Sequence, residues 1–191
     1  LDLTRTKAGS PLHPLDRVFL PIDRPLMLWL NRYDSQWFTT LMWFVSRLST
    51  VAGWLLLTLI YLAIRQDITA TLIMLVASGL GVCASVALKI IIKRPRPWIT
   101  ISELAERGRR PYDPSFPSGH TLSAFAIAAT MAVLDPPTTG LFMGFASLIG
   151  LSRMYLLVHH VTDVLAGAVL GVLLAQGYLT ALTWTGLLSS H

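Results

Sequence analysis

His159 and Asp163 stand four residues apart, so on a helix they share a face. There the carboxylate can accept a proton from one imidazole nitrogen and leave the other lone pair free to attack phosphorus. His120 comes from a separate region, as do the cations Lys89, Lys93, Arg94, Arg96 and Arg153. Three Arg or Lys side chains facing one pocket suit an anion with several oxygens, because guanidinium forks match phosphate geometry. Two other readings of these residues stay open. The run from Lys89 to Arg96 also fits a juxtamembrane basic cluster. His120, His159 and Asp163 could instead ligate a metal, although three pooled cations disfavour a divalent ion.

The chain that must position these groups is apolar. Of its 191 residues, 53% are hydrophobic and 13% charged, about half the charged fraction of an ordinary soluble domain. Its mean hydropathy is +0.60. Such a composition excludes a disordered chain, a coiled coil or a typical soluble globule. The net charge of +5 on so apolar a chain does not describe a nucleic-acid binder. One cysteine, Cys83, excludes an intrachain disulfide and a multi-cysteine metal cluster. No cleavable signal peptide is expected, since Arg5 and Lys7 precede polar and Pro-rich sequence.

Stretches free of Asp, Glu, Lys and Arg define the elements. Ile68 to Leu88 holds 21 such residues, about 31 Å of helix and a match to a bilayer core. Val164 to Ser190 holds 27, Leu48 to Ile64 and Pro136 to Ser152 hold 17 each, Thr121 to Leu134 holds 14 and Ser35 to Ser46 holds 12. The expected fold is all-α: a polytopic membrane bundle of about six transmembrane helices, roughly 35–48, 51–65, 68–92, 119–134, 138–156 and 160–184. The first is the weakest, able to lie partly in the interface. The chain 1–191 is read as one domain, with an N-terminal segment 1–34 carrying an amphipathic surface helix over 18–31. Trp37, Trp54, Trp98 and Trp184 fall near span ends, where interfacial aromatics belong. Gly167, Gly171 and Ala175, and Gly81 with Ser85, are expected to pack helices within the bundle. Charges in spans cost about 2.5 to 3.5 kcal/mol each and so default to function. Here they collect at helix ends, and span parity from the third helix onward brings all of them to one membrane face.

Three segments carry a recognisable pattern. Lys89 to Pro97 reads K-x6-R-P, residues 117–120 read P-S-G-H, and Ser152 to Asp163 reads S-R-x5-H-x3-D. Across about residues 35–184 the chain resembles the type 2 phosphatidic acid phosphatase superfamily, which includes the vanadium haloperoxidases. It departs from the commonest bacterial form at His160, Val161 and Thr162, where many relatives carry an aromatic or other residue, then Pro and Ser. The resemblance implies that His159 is the nucleophile forming a phosphohistidine, Asp163 its orienter and His120 the general acid. It further implies that Lys89, Arg96 and Arg153 bind phosphate, joined by Ser118 and Gly119 at a helix N-terminus. No metal and no cofactor are expected. His160, rotated about 100° from His159, is expected not to be catalytic. Lys93 and Arg94 are read as headgroup contacts or supports behind the phosphate ligands, and Arg107, Arg109 and Arg110 as a solvated rim.

The expected activity is that of an integral-membrane lipid phosphatase acting on a lipid phosphomonoester or diphosphate. Undecaprenyl diphosphate is slightly favoured over phosphatidylglycerophosphate, phosphatidic acid or a lipid A phosphate. A lipid phosphotransferase using the same phosphohistidine is an alternative, as is a non-catalytic lipid-phosphate binder or transporter, which would need only the cations. The span count excludes a soluble haloperoxidase. Partners are the lipid substrate and membrane lipids; residue types say nothing about oligomeric state. The loop 98–117 is expected to face headgroups. The expected location is the inner (plasma) membrane, with the site facing the periplasm or exterior and both termini in the cytoplasm.

Overall fold

The computed structural model describes residues 12–105, 107 and 111–188, and all their regular structure is helical. Arg109 and Arg110 lie outside the described residues. In chain order the helices are α1 (Pro14–Asn31), α2 (Gln36–Leu48), α3 (Val51–Arg65), α4 (Ile68–Ile92), the short α5 (Pro97–Thr100), α6 (Gly119–Leu134), α7 (Thr139–Tyr155) and α8 (Val161–Trp184); a 3-10 turn (Pro136–Thr138) precedes α7. Their bounds follow local chemistry. Asp67 caps α4 by accepting from the Ala70 amide at 2.9 Å. The same helix stops where Lys93 turns left-handed (φ 53°), two residues before Pro95.

α6 forms the centre. It is apolar all round, the pattern of a helix with neighbours on every side, and α4, α7 and α8 pack against it. Small residues permit the approach. A Cβ on Gly171 would lie 2.4 Å from the Leu122 carbonyl, one on Gly167 2.8 Å from that of Ser118, and one on Gly81 2.8 Å from Ser123. The glycines thus seat α4 and α8 on α6 inside the bundle. Trp54, Tyr61, Met74, Ile127, Met131 and Ile149 fill the core. Leu55, Leu59, Leu72, Val76, Leu165, Val169 and Leu173 are exposed on the outer faces, where lipid would lie.

By length and apolarity, the stretch Ile68–Thr100 and α8 can each cross a membrane alone, and α2 with α3 qualifies only as a pair bent by 71°. By that measure the described helices include two spans, or three if the bent pair is one, against the six expected. The bend sits at Ser49 and Thr50, and Gly53 makes it possible, since a Cβ there would overlap the Leu48 carbonyl. Both ends of α2 reach the same end of α7. The Tyr155 hydroxyl meets the Ser35 amide (3.4 Å) and Thr39 Oγ1 (3.2 Å), and Arg153 donates to Ser46 Oγ.

α1 begins four residues earlier than expected, with His13 as cap and Pro14 at the first position. It lies on the same face as the charged helix ends: His13 Nε2 donates to the Ile92 carbonyl at 2.8 Å. α1 is therefore beside the site, and not at the opposite end of the bundle where six full crossings would put it. Two of the four tryptophans also differ from expectation. Trp37 and Trp184 are exposed, but Trp54 is buried against Phe145, and Trp98 lies beneath the Arg96 guanidinium.

Candidate active site

The end of α4, the 93–97 segment, the loop before α6, the end of α7 and the 156–160 turn before α8 meet on one face. Lys89 comes from the last turn of α4 and pairs with Asp113. Arg96 donates to the Asp113 carboxylate (2.7 Å), the Asp113 carbonyl (2.8 Å) and the Val158 carbonyl (2.6 Å). The carboxylate of Asp113 thus bridges two of the cations expected to bind phosphate. Partial burial opposes its charge, yet Lys89 and Arg96 hold its pKa down at about 2. Arg153 is buried, and its Nε has no partner among the described residues, although a buried donor left unpaired is costly.

His159 is not on a helix; it lies in the turn between α7 and α8. Leu157, two residues earlier, is left-handed (φ 56°) and buried. His159 Nδ1 is 2.7 Å from the Ser115 carbonyl and 3.8 Å from Asp163 Oδ2. A carbonyl only accepts, so Nδ1 carries the proton and Nε2 the lone pair. Nε2 in turn lies 3.1 Å from an Arg96 nitrogen, which donates to it. Burial and the Arg96 charge lower the His159 pKa well below the ordinary histidine range. The ring is neutral and aimed at a guanidinium, where a phosphate held by Arg96 would sit. A metal on Nε2 would have to displace that guanidinium.

Ser115 was not visible as a partner because it acts through its backbone. Asp163 does something other than the shared-face argument suggested. Its Oδ1 accepts from Arg94 (2.6 Å), and its Oδ2 from the His160 amide (2.9 Å), with His160 Nδ1 at 3.2 Å. His160 also meets Thr100 Oγ1 at 3.1 Å. Ser118 has its amide on the Asp163 carbonyl (3.1 Å) and its hydroxyl on Thr121 (2.9 Å). The amides of Gly119, His120 and Thr121 in the first turn of α6 have no intrahelical partner, since the ladder starts at the Leu122 amide.

A groove of about 590 Å³ between α3, α4 and α6 opens beside this cluster. Trp54, Leu55, Leu75 and Val82 line its apolar length, and Lys89, Gly119 and His120 close its polar end. The rim arginine Arg107 is a correction. It is buried, donating to the carbonyls of Tyr155 (2.9 Å), Leu30 (3.0 Å) and Asn31 (2.9 Å) with its guanidinium on the Tyr155 ring. Arg94 is fully buried and pairs with Asp163, which fits the supporting reading and not the headgroup contact.

The model of the PAP2 superfamily matches residues 70–186, more than half of the chain. The chain is 36% identical over 80 residues to the Bacitracin transport permease protein BcrC of Bacillus licheniformis, a stretch that is 42% of this chain and 39% of that relative's length. The transmembrane PAP2 type phosphatidylglycerolphosphate phosphatase of Bacillus subtilis shares its fold with TM-score 0.70 and 27% identity, over 86% of each chain. LpxE of Aquifex aeolicus does so with TM-score 0.72 and 24% identity, over 83% of this chain and 95% of its own. This chain belongs to the PAP2 superfamily and shares the fold of its bacterial membrane phosphatases.

Proposed function

We propose that the protein dephosphorylates a prenyl lipid diphosphate, undecaprenyl diphosphate first, through a phosphohistidine on His159. The observation that carries the mechanism is the His159 ring: Nδ1–H is held by the Ser115 carbonyl and the Nε2 lone pair lies 3.1 Å from Arg96. Nε2 attacks phosphorus, the bond to the leaving oxygen breaks, and His120 protonates that oxygen. Water then attacks the phosphohistidine, giving its proton to His120, and inorganic phosphate leaves. Lys89, Arg96, Arg153 and the first amides of α6 neutralise the charge that develops on the phosphoryl oxygens. Asp163, 3.8 Å from Nδ1, supports the ring when phosphorylation makes it cationic.

The apolar groove ending on Lys89 and His120 supports a lipid whose tail stays in the bilayer, and a single channel suits one prenyl chain. The site face is the outer face of the inner membrane, the orientation the family resemblance implies, with loop 98–117 facing headgroups. Phosphate release over a lipid panel tests the substrate: undecaprenyl diphosphate should be fastest, and a clear preference for phosphatidic acid or phosphatidylglycerophosphate would replace it. Activity should survive EDTA and be inhibited by vanadate. Complete loss in EDTA, restored by one divalent metal, would contradict the charge-neutralising role given to the cations.

A further inference from the structure

α1 carries two carboxylates on its buried face. Asp16, Leu20, Asp23 and Met27 recur at helical spacing and are all buried. Both carboxylates meet Arg94, whose side chain has no exposed surface. Its Nε donates to Asp16 (2.8 Å), one terminal nitrogen to Asp23 (2.9 Å), and the other to Asp163 (2.6 Å) and Thr162 Oγ1 (2.9 Å). Asp23 also accepts from the Thr162 amide (2.9 Å) and hydroxyl (2.6 Å), in the first turn of α8. One guanidinium thus joins α1 to the carboxylate beside the nucleophile.

Three carboxylates around one buried cation are an expensive way to dock a helix, because desolvation offsets much of the attraction. Asp16 Oδ2 is even left buried without a partner among the described residues. Geometry gives the cluster a further use. With Oδ1 fixed by Arg94, Asp163 can present only Oδ2 to His160 and His159. A second contact points the same way: Leu20 and Met27 of α1 pack in one cluster with Leu157, the left-handed residue that turns the chain into His159.

We propose that α1 is a positioning element of the active site, with Asp16 and Asp23 holding Arg94 so that Arg94 fixes Asp163 against the nucleophile turn. This rests on the assignment of His159 and Asp163 above. Neither α1 carboxylate touches the phosphate ligands, so the effect belongs on turnover and not on substrate affinity.

The test is a double-mutant cycle on the full chain, measuring phosphate release from undecaprenyl diphosphate and from phosphatidic acid. Asp23→Asn should lower kcat by about tenfold or more, the scale of coupling between residues in one network, and leave KM within about twofold. In an Asp163→Asn background the same change should add nothing, because it acts through Asp163. An unchanged kcat in Asp23→Asn, or losses that multiply in the double variant, would overturn the proposal and leave α1 a structural cap. Asp16→Asn, which keeps an acceptor for Arg94 Nε, is the milder variant should Asp23→Asn not fold. Failure of both to yield folded protein would also assign the cluster to structure alone. A wild-type kcat in Asp163→Asn would instead overturn the site assignment beneath the proposal.

Discussion

At the scale of single residues, each site group has one task and a separable loss. His159→Ala should reduce turnover at least about a thousandfold, since the attacking atom is gone, while Asp163→Asn should be milder because Ser115 still holds the ring. Near-normal activity in His159→Ala would contradict the mechanism. His120→Ala should cost about 10² to 10⁴ with a poor leaving group and little with p-nitrophenolate; equal losses would remove it as the acid. The pH dependence follows from the His159 environment. Burial and Arg96 lower its pKa, so it stays neutral down to pH values below the ordinary histidine range. Loss of the lone pair on His159 should therefore set no acid limb in kcat/KM near pH 6.5; an acid limb there would show that the nucleophile titrates as an ordinary histidine. Asp113, ionised above a pKa of about 2, competes with substrate phosphate for Lys89 and Arg96. Asp113→Asn should lower KM by about two- to fivefold, the size of a partly exposed ion pair. A raised KM would show instead that Asp113 positions Arg96.

Among the elements, the long charge-free runs made α3, α4, α6, α7 and α8 legible in sequence to within a residue or two, because a bilayer core imposes length and apolarity together. The motif residues were legible for the same reason: charge at an apolar helix end has few structural uses. Less was legible where the backbone acts, as at the Ser115 carbonyl, or where a charge is matched far along the chain. Arg94 lies inside the six-residue spacer and its partners are 78 and 71 residues earlier. Asp16 and Asp23 on the same helical face as Leu20 and Met27 were the available signal, since a carboxylate on a buried stripe demands a cation. Helix packing gives a direct check. Gly171→Ala should lower stability by about 1–3 kcal/mol, as overpacking does, because the new Cβ meets the Leu122 carbonyl; Gly177→Ala, with open space around it, should be neutral in thermal unfolding. Equal effects would contradict the α6–α8 seating.

For the whole molecule, charge is strongly polarised. Among the described residues Arg65 is the cation at the far end, beside Asp67 and Asp135, whereas α1, the end of α2 and the site face carry Arg17, Arg24, Arg32, Arg47, Lys89, Lys93, Arg94, Arg96, Arg107 and Arg153. Positive-inside counting pulls that face toward the cytoplasm, whereas the family resemblance implies that it faces outward; the phosphate-binding role proposed for Lys89, Arg96 and Arg153 would account for part of the excess. In a Cys83→Ser background, Tyr112→Cys, at a fully exposed position, should react with a membrane-impermeant maleimide in intact cells, and Gln66→Cys should not. The reverse pattern would place the site on the cytoplasmic side.

The central claim is the covalent bond to His159. Rapid quenching of a reaction with lipid labelled in the transferred phosphoryl group should leave acid-labile, alkali-stable label on the protein, mapped to the peptide containing His159 and absent from His159→Ala. Full turnover with no labelled protein at any quench time, or label on another residue, would contradict it.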